Sequence, residues 1–252
     1  MDEFRTRRNC KNRRFTVDKL RFLQEADCAK FTADAAAELR GIALRSRDRM
    51  MFSGLYDLMR IGGGMAVELI EAIRAFKPWN EQEEHDRDVM LELLGSGAEL
   101  FTRQNRTAHF TASSWIVDAE KTHVLMAYHR IYRAWAWTGG HADGEKNLLA
   151  VALREANEET GIHAKALSPD IFSLEILTVD GHVKKGAYVP SHLHLNVTYL
   201  LEADRNEPLL VKPDENEAVR WFTKEDALKN CREEWMVERI YGKLNEKLMN
   251  RF

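Results

Sequence analysis

The sequence predicts an α/β protein in which helices cover a mixed β-sheet. Apolar residues recur at helical spacing in 65–76 and 147–160, whereas segments rich in β-branched and aromatic residues occupy much of 107–137 and 171–222. Strands interspersed with helices in this order are typical of a mixed sheet with helices packed on it. Hydrophobic residues make up 44% of the 252 residues and charged residues 31%, which is enough apolar material for a core and excludes disordered and collagen-like classes.

The elements are predicted as follows in chain order. Helices are expected at 65–76 and 81–94, strands within 107–137 around a hairpin turn at Asp118–Thr122, a glycine-rich loop at 139–145, a helix at 147–160, strands at 171–179, 193–202 and 217–222, and helices at 224–230 and 233–249. The second helix begins with several acidic residues, which a helix N-terminus favours.

The first 64 residues differ from the rest in charge. They hold 14 lysines and arginines against 9 aspartates and glutamates, whereas residues 65–252 hold 23 against 31. A basic, polar stretch predicts disorder at 1–15, and the spacing at 16–61 predicts helix, before three glycines at 62–64 and a new helical pattern that opens at Met65. Two interpretations stay open: 1–64 is a basic N-terminal extension, helical or disordered, or Met65 is the natural start and 1–64 does not belong to the native protein. In both, the functional domain is expected at 65–252.

Several classes of location and partner are disfavoured. A membrane helix would need about 18 consecutive apolar residues, and the chain has none; no apolar run of a secretory signal follows the basic start. Cys10, Cys28 and Cys231 are too far apart for a zinc motif or a disulfide framework, which predicts a cytoplasmic protein. Residues 1–64 lack a nucleic-acid-binding motif, so neither membrane nor nucleic acid is expected as a partner. The oligomeric state stays open.

The segment that carries chemistry is the helix at 147–160. Glu155, Glu158 and Glu159 are spaced i, i+3 and i+4, so their carboxylates project from one side of the helix. Like charges at this spacing repel one another, and a divalent cation such as Mg²⁺ is their natural partner, since it prefers oxygen ligands and is usually completed by substrate phosphates. Arg154 lies four residues before Glu158 and is expected to pair with it or with a neighbouring carboxylate.

The surrounding residues support a site over a merely solvated acidic face, which is the commoner meaning of such a triple. Glycines at 139, 140 and 144 allow a tight loop whose backbone faces a metal or phosphate. Gly161 stands where a left-handed helix cap is expected. The opposite helix face is small and apolar, with Leu149, Ala152, Leu153 and Ala156 suited to close packing on a sheet.

This segment resembles the signature of the Nudix hydrolases. Gly140, Arg154-Glu155, Glu158-Glu159 and Gly161-Ile162 fall on the motif positions, and the likeness extends over roughly 66–250. One position departs from the pattern: the early motif glutamate falls on Lys146, with Glu145 just before it. A loop shortened by one residue would let Glu145 serve instead. The proline that usually precedes the two glycines is Thr138 here.

The resemblance implies an α/β/α sandwich with a mixed sheet and a Nudix pyrophosphohydrolase activity. Such enzymes cleave a pyrophosphate bond in a nucleoside diphosphate linked to another group, with Mg²⁺ or Mn²⁺ as cofactor. The expected metal ligands are Glu155, Glu158, Glu159 and the Gly140 carbonyl. Glu158, Glu159 and Arg154 are the expected catalytic residues, with Glu159 favoured as the general base and Glu217 as its alternative.

Two alternatives share the implied fold. A catalytically silent Nudix-like domain that binds a nucleotide and regulates another process stays open, because Lys146 and the shortened loop depart from the motif. An isopentenyl-diphosphate isomerase is disfavoured, because residues 107–137 contain no cysteine for its early strand. The sequence does not name the diphosphate substrate.

Aromatic, histidine and lysine side chains near the motif have less specific interpretations. Trp135 and Trp137 are expected to pack in the core rather than stack on a base. His141 lies in the glycine-rich loop and could contact phosphate. His192 and His194 share a strand face, where lining a pocket and cross-strand packing both stay open, and the lysines at 184 and 185 favour a solvated turn.

Overall fold

The computed structural model describes residues 65–130, 133–184 and 186–252. The predictions made for 1–64, including an extension that is helical, disordered or foreign to the native protein, lie outside the described residues. The domain boundary at Met65 therefore stays a prediction.

Most of the predicted elements are present with small shifts at their ends. The helices are α1 (Met65–Ala75), α2 (Glu81–Gly95), α3 (Leu148–Thr160), α4 (Lys224–Asn230), α5 (Glu234–Met236) and α6 (Gly242–Arg251), with a π-helical turn at Val237–Tyr241 between the last two. The strands are β1 (Ala108–Val117), β2 (His123–His129), β3 (Ala134–Ala136), β4 (Thr138–His141), β5 (Lys165–Ala166), β6 (Ser173–Val179), β7 (His182–Lys184), β8 (Ala187–Val189), β9 (His192–Glu202) and β10 (Asn216–Thr223).

The main sheet is mixed, as predicted. Its central path runs β10-β2-β1-β9-β5, with β3 paired to β2, β4 to β1 and β6 to β9. The long β1–β9 pair is parallel, whereas the other pairs described in this sheet are antiparallel. Strands β7 and β8 form a separate hairpin. Lys184, expected in a solvated turn, is the last residue of β7, and its side chain is exposed.

Residues 139–141 correct the predicted boundaries of the glycine-rich loop. They belong to β4, because Gly139, Gly140 and His141 pair with successive residues of β1. Strand β3 pairs with β2, and after Trp137 the chain continues as β4, which pairs with β1 instead. The switch of partner opens the sheet between β1 and β2, and the loop proper begins only after His141.

Strand β1 lies between two cores, since all ten of its residues are buried. One set of alternate side chains, including Phe110, Ala112 and Ile116, joins the core beneath α3. The other set ends in Trp115 and Val117, which pack with Tyr241 and Leu244 from the C-terminal helices. Burial on both faces explains the nearly continuous apolar and small composition of β1.

No helix among the described residues has the length and apolarity needed to cross a membrane.

Candidate active site

The two glycines of β4 allow this strand to lie unusually close to both β1 and α3. A Cβ added at Gly140 would lie 2.4 Å from Cδ of Glu155. A Cβ at Gly139 would lie 2.7 Å from the carbonyl oxygen of Ala112 and 2.9 Å from Cα of Ser113. A Cβ at either position would force a neighbour to shift: the flexible side chain of Glu155 at Gly140, but the backbone of β1 at Gly139.

We expect Gly139→Ala and Gly140→Ala to have different consequences. Gly139→Ala should lower the free energy of unfolding by about 1–3 kcal/mol, because the backbone of β1 cannot move aside. Gly140→Ala should cost less stability, since the side chain of Glu155 can rotate, but it should displace that carboxylate and reduce activity. Chemical denaturation measures the difference, with Gly95→Ala as the control, because a Cβ there meets nothing within 4 Å. Equal stability losses in all three variants would contradict this account.

Helix α3 has a side-chain cap at its N-terminus and a left-handed glycine cap at its C-terminus. The side chain of Asn147 accepts a hydrogen bond from the backbone N–H of Ala150 at 3.1 Å, and Glu145 Oε1 accepts one from the N–H of Asn147 at 2.7 Å. At the other end Gly161 adopts φ 73° and its N–H donates to the carbonyl of Asn157. The predicted left-handed cap is thus confirmed.

The inner face of α3 packs directly on the sheet. Val151, Ala152 and Ala156 have no exposed surface, and the buried hydroxyl of Ser114 donates to the carbonyl of Ala152 at 3.1 Å. The predicted close-packing face is confirmed at Ala152 and Ala156, while Leu149 and Leu153 border the same core half-buried. This packing anchors the helix that carries the three glutamates.

Arg154 holds two of those glutamates. Its Nη2 lies 2.8 Å from Oε1 of Glu155 and 3.5 Å from the carbonyl oxygen of His141, and its Nε lies 3.6 Å from Oε1 of Glu158. Lys212 Nζ approaches the other oxygen of Glu158 at 3.4 Å. The predicted pairing of Arg154 is confirmed, and two cations offset the negative charge of Glu155 and Glu158.

Glu159 is turned inward and is only 6% exposed. Its Oε1 accepts from the N–H of Gly139 at 2.9 Å, and its Oε2 accepts from Nδ2 of Asn216 at 3.0 Å. Burial raises the pKa of Glu159 to about 7, helped by the negative charges of Glu155 and Glu215 and opposed by the two hydrogen bonds. A carboxyl that titrates near neutrality can exchange a proton there, and the role of general base stays a prediction.

The three glutamates differ in exposure although they share one side of α3. The side chain of Glu155 is 12% exposed beside Gly140, that of Glu158 is 45% exposed, and Glu159 is buried beside Gly139. Within the described part of the chain, the group of three or more potential metal ligands whose atoms lie within 4.8 Å of one another is made of histidines, not of these glutamates. The ligand set Glu155, Glu158, Glu159 and Gly140 therefore stays a prediction.

Glu145 and Lys146, where the sequence departs from the motif, both contact neighbouring residues in the fold. Glu145 is half-buried and uses Oε1 to fix the start of α3, as described above. The ammonium of Lys146 lies 5.9 Å from the centre of the Phe101 ring. Whether Glu145 also serves as the early motif glutamate stays a prediction.

The two tryptophans pack as predicted. Trp135 lies edge-on to the rings of Tyr128 and Phe222 at 5.4 and 4.8 Å, and Trp137 lies edge-on to Tyr241 at 5.5 Å. Both side chains are half-buried and pack against the second core, as expected. Glu217, the alternative base, is about half exposed in β10 and lies 4.0 Å from Arg130.

Sequence reasoning missed three side chains that the fold brings to this region. Asn216 reaches Glu159 from a bulge in β10, and Lys212 reaches Glu158 from the preceding loop. His109 meets His141 in a ring contact at 5.2 Å, from the start of β1. No local motif marks these residues, because their positions depend on the register of distant strands.

This chain is similar to several known proteins. The NUDIX domain model matches residues 108–241. A protein of Lactococcus lactis subsp. cremoris (strain MG1363) named probable DHNTP pyrophosphohydrolase is 25% identical over 148 residues, which cover 59% of this chain and 86% of that protein. Among solved structures, a NUDIX-family hydrolase from Clostridium perfringens is 24% identical with a TM-score of 0.41, covering 57% of this chain and 98% of that one. An Ap4A hydrolase from C. elegans is 20% identical with a TM-score of 0.41, covering 56% and 96%.

The chain belongs to the NUDIX family, because the family model spans more than half of its length. The match includes β4, the glycine-rich loop and the whole of α3, which are the elements that form the candidate site. The expected family, sandwich fold and enzyme class are confirmed.

Proposed function

We propose that this chain is a divalent-metal-dependent hydrolase that cleaves a pyrophosphate bond in a nucleoside diphosphate linked to another group. The observation that carries the proposal is the contact between Gly140 and Glu155, with Arg154 holding both Glu155 and Glu158. This arrangement occurs at the motif of a chain whose family is established. A small-molecule diphosphate is accordingly the proposed partner, and the cytoplasm the proposed location.

The chemistry of the donor set fits Mg²⁺ or Mn²⁺. Three carboxylates and a carbonyl are hard oxygen donors, which these ions prefer. Glu155, Glu158, Glu159 and the Gly140 carbonyl would hold the ion, and the missing side chain of Gly140 lets the Glu155 carboxylate lie close to that strand. When bound, a divalent ion offsets phosphate charge and lowers the pKa of a coordinated water.

The protein's own residues supply orientation and a proton acceptor. Arg154 fixes the directions of the Glu155 and Glu158 carboxylates, and its rigid guanidinium limits their motion. Glu159 is positioned by Gly139 and Asn216 and is proposed to accept a proton on its carboxylate near neutral pH, because burial has raised its pKa to about 7.

The substrate is best sought among triphosphates and diphosphate-linked compounds. One relative is named for DHNTP, so DHNTP enters the test set alongside nucleotide sugars, dinucleotides, ADP-ribose and oxidised nucleoside triphosphates. The enzyme is expected to release two phosphate-bearing products from at least one of them.

The test compares wild type with Glu158→Gln across this set, with Mg²⁺, with Mn²⁺ and with a chelator. We expect turnover of at least one compound with either metal, and a loss of about 10²-fold or more in the variant. Hydrolysis can be followed by separating the phosphate-bearing products. Binding without turnover on every compound would support the silent regulatory domain instead, and turnover unchanged by Glu158→Gln would place the chemistry elsewhere.

A further inference from the structure

Four histidine rings pack together at the end of β1 that lies beside the glycine-rich loop. The ring of His109 lies 4.8 Å from that of His192, 5.1 Å from His194 and 5.2 Å from His141, measured between centroids. His194 also contacts His141 at 4.9 Å and His192 at 5.0 Å. His141 follows Gly140 and its carbonyl oxygen lies 3.5 Å from Arg154, but the proposed reaction gives the four histidine rings no role.

The sheet register explains why these histidines meet. Strands β1 and β9 are parallel, and His109 pairs directly with His194. His192 lies two residues earlier in β9 and therefore points to the same face. His141 pairs with Thr111, two residues after His109, so all four rings share one face of the sheet. Residues more than 80 positions apart in the chain thus form one cluster.

Backbone carbonyls orient two of the rings. His109 Nδ1 lies 3.0 Å from the carbonyl oxygen of Asn105, and His192 Nδ1 lies 2.9 Å from that of Pro190. Because a carbonyl only accepts, both Nδ1 atoms carry the proton, and in the neutral ring each Nε2 presents a lone pair. Histidines that bind a metal usually donate their other ring N–H to a carbonyl or carboxylate in this way.

The Nε2 atoms are also close and incompletely satisfied. His192 Nε2 lies 3.1 Å from His194 Nε2. His109 is only 4% exposed, and its Nε2 is buried without a hydrogen-bond partner. A hydrogen bond between His192 and His194 accounts for two nitrogens and leaves the third unexplained. A shared ion accounts for all three.

We propose that His109, His192 and His194 bind a zinc-class divalent ion through three neutral imidazoles, with a fourth position open to water or an anion. Their ligand atoms lie within 4.8 Å of one another. Nitrogen ligands about 2 Å from a tetrahedral ion are about 3.3 Å apart, so the His192–His194 pair is already at this spacing and His109 needs only a small movement. Imidazole nitrogens favour zinc, cobalt, nickel or copper over Mg²⁺, so this site and the carboxylate site select different metals.

The charges near the cluster are compatible with a cation. Arg103 is neutralised by two hydrogen bonds to Asp143, at 2.8 and 2.7 Å. Lys184 adds positive potential, but its side chain is exposed and solvent screens its charge.

The test is a titration of the full chain, free of any histidine tag, with Co²⁺ and Zn²⁺ in excess Mg²⁺. The Mg²⁺ is added to fill the proposed carboxylate site. Visible absorption distinguishes tetrahedral nitrogen-bound cobalt, which absorbs strongly, from octahedral oxygen-bound cobalt. We expect one tightly bound Co²⁺ per chain with the tetrahedral spectrum, displaced by Zn²⁺. His192→Asn and His194→Asn should each weaken Zn²⁺ binding by at least about tenfold. His163→Asn is the matched control, because His163 lies on the surface beside Glu207.

The outcomes separate this site from the proposed hydrolysis. Glu158→Gln should leave the cobalt spectrum and zinc affinity unchanged, whether or not the chain proves to be a hydrolase. His109→Asn is a third variant, but the substitution of this buried residue could prevent folding. His192→Asn and His194→Asn, shown to be folded by circular dichroism, therefore decide whether the histidines bind zinc. An absence of the tetrahedral spectrum in wild type, or equal zinc affinity in wild type, His163→Asn and both of those variants, would overturn the proposal.

Discussion

Glu159→Gln is expected to reduce turnover by about 10²–10⁴-fold while stabilising the metal-free chain above neutral pH. The loss of activity follows from removing a carboxylate that is proposed both to bind metal and to accept a proton. The gain in stability follows from burial, which raises the pKa of Glu159 from 4.5 to about 7. The folded chain then binds more protons than the unfolded chain between these values, so wild-type stability should fall as pH rises from about 4.5 to 7.

Above neutral pH the charged, buried Glu159 should cost on the order of 3 kcal/mol, a cost that glutamine avoids. The side chain of Asn216 allows the exchange, because its Oδ1 is buried without a partner and an amide flip would let it accept from the N–H of the introduced amide. Denaturant unfolding at about pH 5 and about pH 8.5 in chelator, on either side of the shifted pKa, together with turnover in Mg²⁺, measures both effects. Glu92→Gln, at an exposed position of α2, is the control. Equal pH dependence of stability in Glu159→Gln and wild type would refute this explanation.

Lys243→Met should destabilise the fold by about 3–5 kcal/mol, because it leaves the buried carboxylate of Glu175 without its cation and that of Glu83 with Lys247 alone. The ammonium of Lys243 lies 3.1 Å from Glu175 and 3.3 Å from Glu83, and neither glutamate side chain has exposed surface. Burial acts to raise the pKa of Glu83, but Lys243 and Lys247 outweigh it and hold that pKa below its usual value. These charges link α6 to α2 and β6.

The matched control is Lys229→Met, whose ammonium forms an exposed pair with Asp226 at 3.3 Å. That change should cost less than about 1 kcal/mol, as exposed ion pairs generally do. Urea unfolding compares the two, and adding Glu175→Gln to Lys243→Met should recover part of the loss, because it removes one of the stranded charges. Equal losses for Lys243→Met and Lys229→Met would show that the buried charges are not coupled.

Local signals predict much of the fold. The apolar spacing of α3, its left-handed cap at Gly161 and the pairing of Arg154 with Glu158 all depend on residues a few positions apart, and each is confirmed. The helix expected at 233–249 is present from Glu234 to Arg251, with an unpredicted π-helical turn within it. The sequence predicts a loop where β4 lies, because consecutive glycines usually break a strand; here they allow a close approach to β1 that only the tertiary fold reveals.

The sequence predicts which residues form the candidate site, but not the burial and long-range contacts of their side chains. Spacing alone marks the three glutamates, yet the inward turn of Glu159 depends on Asn216, which is 57 residues away and positioned by a bulge in β10. The contacts of Lys212 with Glu158 and the meeting of His109 with His194 likewise depend on loop path and strand register. Periodicity carries no information about which distant strands pair, so these side chains could not be found in the sequence.

The central claim is that the carboxylates of α3 bind the divalent ion that hydrolysis requires. The most direct test is the Mg²⁺ dependence of turnover, on whichever substrate the wild-type chain hydrolyses, in wild type and Glu158→Gln. We predict saturable activation of wild type, complete loss in chelator, recovery on adding Mg²⁺, and at least about a tenfold higher half-saturating Mg²⁺ concentration or no activity in the variant. Turnover that persists in chelator, or an identical Mg²⁺ dependence in both proteins, would contradict it.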